Sequence, residues 1–181
     1  MGKRVLVIST SLRNNSNSEA LADAFMNGAK EAGNQVEKIS LRDKTIGFCK
    51  GCLACLKAEH CVISDDAVEI ARKMHDADVI AFATPIYYYE MSGQMKTMLD
   101  RANSLYGSDY AFQDIYLLSA AAENEKGVDR RAVAGLEGWI ACFDHAKLAG
   151  TVFAGGVDAA GEIAGHPGIE QAYETGKAVS V

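Results

Sequence analysis

Residues 5–33, VLVISTSLRNNSNSEALADAFMNGAKEAG, decide how the rest of the chain is read. A β-branched apolar run at 5–9 passes through a hydroxyl- and amide-rich loop into residues 18–31, where Leu21, Phe25 and Ala29 share one face at helical spacing. Gly33 supplies the helix stop. A buried strand, a polar loop and an amphipathic helix in that order form the first unit of a parallel sheet covered on both faces.

Outward from that unit the pattern recurs. Residues 36–40 alternate and read as a second strand; 79–83, 115–119 and 151–154 read as three more. Asp65 or Asp66 is placed to cap a helix running to His75, with Val68, Ala71 and Arg72 on its period. Residues 93–105, 128–146 and 168–179 read as the remaining helices, and Cys142, between Ile140 and Phe143, reads as core. Five strands alternating with five helices predict a doubly wound α/β sheet with helices on both faces. No linker, repeat or low-complexity tract divides the chain, so residues 1–181 read as one domain.

The charge balance is 18 Lys and Arg against 24 Asp and Glu, a formal −6, which argues against nucleic acid or an anionic membrane held by charge. The opening MGKRVLVIST enters a β-branched run without the layout of a signal peptide, and no window approaches 18 apolar residues. The expectation is a cytoplasmic protein with neither a membrane nor a nucleic-acid partner.

In doubly wound sheets ligands sit beyond the carboxyl ends of the strands, so the loops after strands one, three and four carry the chemistry. In the first loop Ser11, Ser16, Asn17 and Ser18 can donate to phosphate oxygens at a helix N-terminus, and Arg13 brings a local positive charge. The same residues equally suit an ordinary cap with a polar turn. The loop contains no glycine, so it is neither a Walker motif nor a G-x-G-x-x-G turn. The loop after the third strand, ATPIYYYEMSGQMK, sets Tyr87, Tyr88 and Tyr89 beside a proline, suiting a planar ring system or a subunit contact.

Four of the five cysteines, Cys49, Cys52, Cys55 and Cys61, fall in the stretch FCKGCLACLKAEHCVISDD, near the expected ligand-bearing edge of the sheet. In a reducing compartment such a group reads as metal or redox chemistry before disulfides. The spacing C-x-x-C-x-x-C, five residues, C fits an iron–sulfur cluster, fits zinc, and also fits unligated thiols packed as small apolar groups.

Taken together, SLRNNSNS, the cysteine stretch, TPIYYYEMSGQMKTMLDR and the closing AYETGKAV resemble the NADPH-dependent FMN reductase family of flavodoxin-like proteins. The resemblance implies a five-stranded parallel sheet of order 2-1-3-4-5 with FMN across the strand ends. It implies that Ser11, Arg13, Ser16, Asn17 and Ser18 hold the FMN phosphate, and that Pro85, Ile86, Tyr87 and Tyr88 line the isoalloxazine ring. Ser119, Ala120 and Ala121, continuing to Ala122, would form the third wall, in a loop that departs from the family's commoner Thr- and Gly-containing version.

The implied activity is an FMN-dependent NAD(P)H oxidoreductase that reduces a flavin, quinone or nitro compound, acting as a homodimer or homotetramer. The flavin carries the chemistry, so no catalytic side chain is named; Asp65, Asp66, His60 and His145 read as caps or surface groups. The alternative rests on the cysteines, whose spacing resembles the compact motif of iron–sulfur flavoproteins. It implies a [4Fe-4S] cluster on Cys49, Cys52, Cys55 and Cys61 and a relay of single electrons with a ferredoxin-like partner.

Overall fold

A computed structural model describes residues 2–180. Strand β1 (Arg4–Ser9) feeds helix α1 (Asn17–Glu31), and two residues on the chain turns away at Gly33, where the φ of 90° suits the one residue lacking a Cβ. There follow β2 (Gln35–Ser40), the one-turn α2 (Cys55–Ala58), α3 (Asp66–Asp76), β3 (Val79–Tyr87), β4 (Glu90–Met91) and α4 (Gly93–Arg101). The chain closes with β5 (Asp114–Ala120), α5 (Arg130–Ile140), β6 (Lys147–Ala154) and α6 (Pro167–Lys177).

The sheet has the order β2-β1-β3-β5-β6, and each of those neighbours pairs in parallel. This is the flavodoxin-like α/β arrangement. The expected five-stranded sheet is corrected by a sixth strand: β4 pairs antiparallel with the end of β3, Ile86 opposite Met91 and Tyr87 opposite Glu90. Tyr88 and Tyr89 turn that hairpin with φ of 51° and 66°, a conformation usually left to Gly or Asn.

Alternation along each strand divides the core in two. Val5 and Val7 face α1 and α6 with Leu21, Phe25 and Ala172, whereas Leu6 and Ile8 face α3, α4 and α5 with Met74, Met95, Met98 and Leu136. Where α1 meets α6 the backbones nearly touch: a Cβ on Gly28 would lie 2.0 Å from the Tyr173 carbonyl, and one on Gly176 2.0 Å from that of Phe25. The face that α3 buries is Ala67, Ile70, Ala71 and Met74, so the period expected through Val68, Ala71 and Arg72 is corrected by one position, with Arg72 exposed.

The helix expected over 93–105 stops at Arg101 and gives way to a short 3-10 turn, Asn103–Leu105. The helix expected over 128–146 is shorter, ending at Ile140, and this moves Cys142 out of the core onto the surface. Phe143 in the same turn is buried against Tyr110, Phe112 and Trp139, so the aromatic cluster, not Cys142, seals that end of the sheet. Among the described residues no helix is long and apolar enough to cross a membrane.

Candidate functional site

At the carboxyl ends of β1, β3 and β5 the loops enclose a crevice of about 260 Å³. Ser11, Arg13, Ser16, Asn17 and Ser18 form one wall; Pro85, Ile86, Tyr87 and Tyr88 form the second; Ala120 and Ala121, continued by Ala122, form the third. Ser119 is not part of the lining. It is fully buried beneath the wall, and its hydroxyl donates to Asp129 Oδ2 at 3.2 Å. Val157 and Asp158, from the loop after β6, complete the crevice and were not expected. Gly155 was the available signal, because a Cβ there would lie 2.7 Å from the Glu123 carbonyl and force the two loops apart.

The first wall suits an anion. Ser16 is the N-cap of α1, yet its hydroxyl caps no helix N–H and instead meets the Ser18 hydroxyl at 3.1 Å. The helix thus presents its N–H groups and positive dipole end to the crevice. Both ends of the Asn17 side chain are engaged: Nδ2 donates to the Ala159 carbonyl at 2.9 Å and Oδ1 accepts from the Ile163 N–H at 3.2 Å. Asn17 therefore pins the β6–α6 loop over the helix start. Arg13 is exposed and donates through Nη1 to the Asp158 carbonyl at 2.9 Å. The only acid in the first turn, Glu19, is paired with Lys38 at 3.4 Å and Arg42 at 3.2 Å, which offsets its repulsion of an incoming phosphate.

Buried hydroxyls join this wall to the tyrosine hairpin. Thr10 Oγ1 donates to the Ala83 carbonyl and lies 3.0 Å from Ser92 Oγ, and Thr84 Oγ1 accepts from the Ser92 N–H at 3.0 Å. Ser92 Oγ in turn accepts from the Met95 N–H, capping α4. These three residues were missed, because each looks like an ordinary strand-end or capping residue until the loops are brought together. On the outer side Tyr89 donates to Glu123 Oε1 at 3.1 Å, and that hydrogen bond holds the tyrosine pKa above its usual value. Tyr88 stands 97% exposed, leaving that rim of the crevice open. The donors, the uncapped helix and the flat aromatic wall fit a phosphorylated ring cofactor such as FMN.

The cysteines lie elsewhere. Cys49, Cys52, Cys55 and Cys61 line a second cavity, of about 400 Å³, that shares no residue with the crevice. Its walls include Arg101 at the C-terminal end of α4, whereas the hairpin adjoins the N-terminal end. Nine helical residues span about 13 Å. The thiols are therefore set back from the crevice edge where they were expected. Cys142 joins them from the turn after α5, so all five cysteines face one space.

One arginine closes the neck of the cysteine loop. The Arg101 side chain is fully buried, and its two terminal nitrogens pair with both oxygens of Asp65 at 2.6 and 2.7 Å. They also donate to the Gly47 and Ile63 carbonyls at 2.8 and 3.0 Å, one on each side of the cysteines. Asp65 accepts from the Gly47 N–H and caps α3 through Ala67. Burial would raise the Asp65 pKa, but the bonds from Arg101, Gly47 and Ala67 outweigh it and hold the carboxyl below its ordinary value. Among the described residues no three Cys, His, Asp or Glu side chains are gathered closely enough to hold a metal ion. The fit to a thiolate-ligated group is one of chemistry, four sulfurs around one cavity with a buried, unpartnered Arg101 Nε in its wall. Drawing them into ligating range requires the loop to close.

The family model of NADPH-dependent FMN reductases matches residues 3–158. An iron–sulfur flavoprotein of Archaeoglobus fulgidus is 36% identical over 85 residues, 47% of this chain and 39% of that protein. Another, of Methanocaldococcus jannaschii, is 38% identical over 102 residues, 56% of this chain and 53% of that protein. The matched stretches thus span about half or less of these two relatives. The solved NAD(P)H:quinone oxidoreductase from Methanothermobacter marburgensis superposes with a TM-score of 0.74 at 16% identity, over 99% of this chain and 100% of that one, a likeness of fold.

Proposed function

The chain belongs to the NADPH-dependent FMN reductase family, and from that premise we propose that it is an FMN oxidoreductase of the iron–sulfur flavoprotein kind. The observation that carries the flavin half is the uncapped start of α1 beside Arg13 and three buried serines, joined by the Thr10–Ser92–Thr84 hydroxyls to the tyrosine hairpin. In this reading Ser11, Arg13, Ser16 and Ser18 take the phosphate, Asn17 holds the loop that covers it, and Pro85 to Tyr88 with Ala120 and Ala121 receive the ring. Bound FMN supplies the redox chemistry, accepting hydride or electrons and passing them on. The chain's own part would be to grip the phosphate, line the ring with Pro85 to Tyr88 and the loop after β5, and leave the Tyr88 rim open to a second reactant.

Cys49, Cys52, Cys55 and Cys61 would hold a [4Fe-4S] cluster, which supplies exchange of single electrons with a carrier such as a ferredoxin. The shared cavity and the relatives named iron–sulfur flavoproteins support this half. A second reading, a cluster-free NAD(P)H oxidoreductase acting on a flavin, quinone or nitro compound in the cytoplasm, is favoured by the open rim at Tyr88. The exposed Phe48, Leu53 and Tyr88 suit a homodimer or homotetramer under either reading.

The deciding measurement is the visible spectrum with iron and acid-labile sulfide content of protein purified without oxygen. Flavin bands with iron and sulfide are expected. Flavin without iron, together with rapid NADPH oxidation, would leave the second reading; protein that takes up no added FMN would overturn both.

A further inference from the structure

Two of the four clustered cysteines accept from nitrogen donors, one within the cysteine loop and one from the turn after α4. The Gly51 backbone N–H donates to Cys49 Sγ at 3.4 Å. The Asn103 side-chain amide, on the turn that follows α4, donates to Cys55 Sγ at 3.2 Å. Cys61 and the Arg101 guanidinium line the same cavity. A guanidinium has five N–H groups. Closing the neck of the loop uses the four on the terminal nitrogens, and the fifth, on Nε, is buried without a partner.

A neutral thiol is a weak acceptor, whereas a thiolate or metal-bound sulfur makes a charge-assisted bond with the same donors. Nothing in the loop's folding calls for an amide from the end of α4 to be aimed at a sulfur, nor for a buried N–H to be left over on an arginine that lines the same cavity. Cys142, in the same cavity, differs: its thiol donates to the Gly138 carbonyl at 3.7 Å.

We propose that the cavity is built for anionic sulfur, with Asn103 and Arg101 as its positioning residues: Asn103 donates to Cys55, and Arg101 shuts the loop and keeps its Nε–H available to the sulfurs of the same cavity. This deepens the iron–sulfur reading and rests on it for the identity of the metal, but the donor arrangement responds to any thiophilic cation. It separates the residues that hold a metal from those that tune it. Such outer partners change metal affinity by about 10- to 100-fold when removed.

The test uses the full-length chain, reduced and metal-free, titrated with Cd²⁺ alone and followed by its ultraviolet thiolate band; FMN uptake reports the fold. Asn103→Leu removes the donor, and Asn103→Asp keeps the shape but sets a carboxylate against the sulfur. Cd²⁺ binding is expected to weaken about 10-fold or more in Asn103→Leu and further in Asn103→Asp. A purely structural role gives the opposite ranking, with the isosteric Asp nearest to wild type. Arg101→Lys keeps the charge and loses the fork, and is expected to weaken Cd²⁺ binding with FMN uptake retained; unchanged binding removes Arg101 from the inference.

Protein reconstituted with iron and sulfide should show the same order as a shift of its midpoint potential to more negative values, because each lost donor favours the less negative, oxidised state. Wild-type protein that binds no Cd²⁺, or Asn103 variants that bind it as tightly as wild type, overturns the inference. Wild-type protein that shows the Cd²⁺ ranking but takes up no iron and sulfide overturns the iron–sulfur reading and leaves the donor arrangement standing.

Discussion

Replacing Arg13 by alanine separates the phosphate half of the flavin site from the ring half. In the chain alone the Arg13 guanidinium donates to the Asp158 carbonyl at 2.9 Å, while its own carbonyl accepts from Arg42 at 3.4 Å, so the backbone is held independently of the side chain. A phosphate would exchange that neutral bond, worth about 0.5–1.5 kcal/mol, for one to a charged group, worth about 1.5–3 kcal/mol. The difference of about 1–2 kcal/mol corresponds to a fall of about 5- to 30-fold in FMN affinity for Arg13→Ala. Riboflavin has the same ring and no phosphate, so its affinity should barely change. Titration of flavin fluorescence with each compound, at low and high salt, reads both numbers. The FMN loss should shrink as salt screens the exposed guanidinium. Equal losses for the two flavins would refute the reasoning, since they would make Arg13 a support of the fold. No loss for FMN would refute it from the other side and leave the helix N-terminus and serines as the whole phosphate site.

Three further substitutions probe the frame around the two centres. Gly176→Ala places a Cβ 2.0 Å from the Phe25 carbonyl, so the usual helix gain of alanine should be reversed. A loss of about 1–3 kcal/mol, seen as a fall of about 2–12 °C in Tm, is expected, and an unchanged or raised Tm would show that α1 and α6 can separate freely. Ser92→Ala strips the cap from α4 and the link to Thr10; a loss of about 0.5–2 kcal/mol in urea unfolding, with weaker FMN binding, is expected. FMN affinity unchanged in that variant would uncouple the hydroxyls from the crevice. The Asp65 carboxyl is held below its ordinary value, so its contribution to stability is present above an unfolded value of about 3.9 and is lost as pH falls through the lower folded value. Urea midpoints measured below about pH 4 should therefore fall more steeply in wild type than in Asp65→Asn, and parallel curves would refute the pairing with Arg101.

How much of this was legible depends on whether the signal was local. The centres of the five long strands, the Leu21–Phe25–Ala29 face and a cap at Asp65 or Asp66, which the fold gives to Asp65, could be read because each is a pattern within one turn or one pleat. Three loops were placed around one crevice by the rule that ligands lie beyond the strand ends, and eleven of the twelve residues named for the flavin meet there. Ser119 does not, because the pleat sends it to the buried side. The Tyr88–Tyr89 turn could not be read, since two tyrosines at positive φ run against the usual Asn-Gly preference. Val157 and Asp158 arrive from the far edge of the sheet, brought in by the close packing of Gly155 on Glu123 and by the bonds of Asn17 and Arg13 to their loop.

Arg101 shows most clearly why the cysteine loop was only half legible. In sequence it is a basic residue in the last turn of a helix, the usual place for a solvated side chain that favours the helix dipole. In the fold it is buried, and its partner carboxylate lies 36 positions away. Each oxygen of Asp65 also accepts a backbone N–H, from Gly47 or Ala67, so the carboxylate that starts α3 also fixes where the cysteine loop begins. Local spacing could place four cysteines in one segment, but it could not say that they face a common space. That follows from the guanidinium bonding to carbonyls on both sides of the segment and closing it into a loop. Breaking such a pair by removing one partner costs about 3–5 kcal/mol. A structural pair of that strength anchors the segment and leaves Cys49 and Cys52 exposed, and Cys55 and Cys61 half-buried, around the shared cavity.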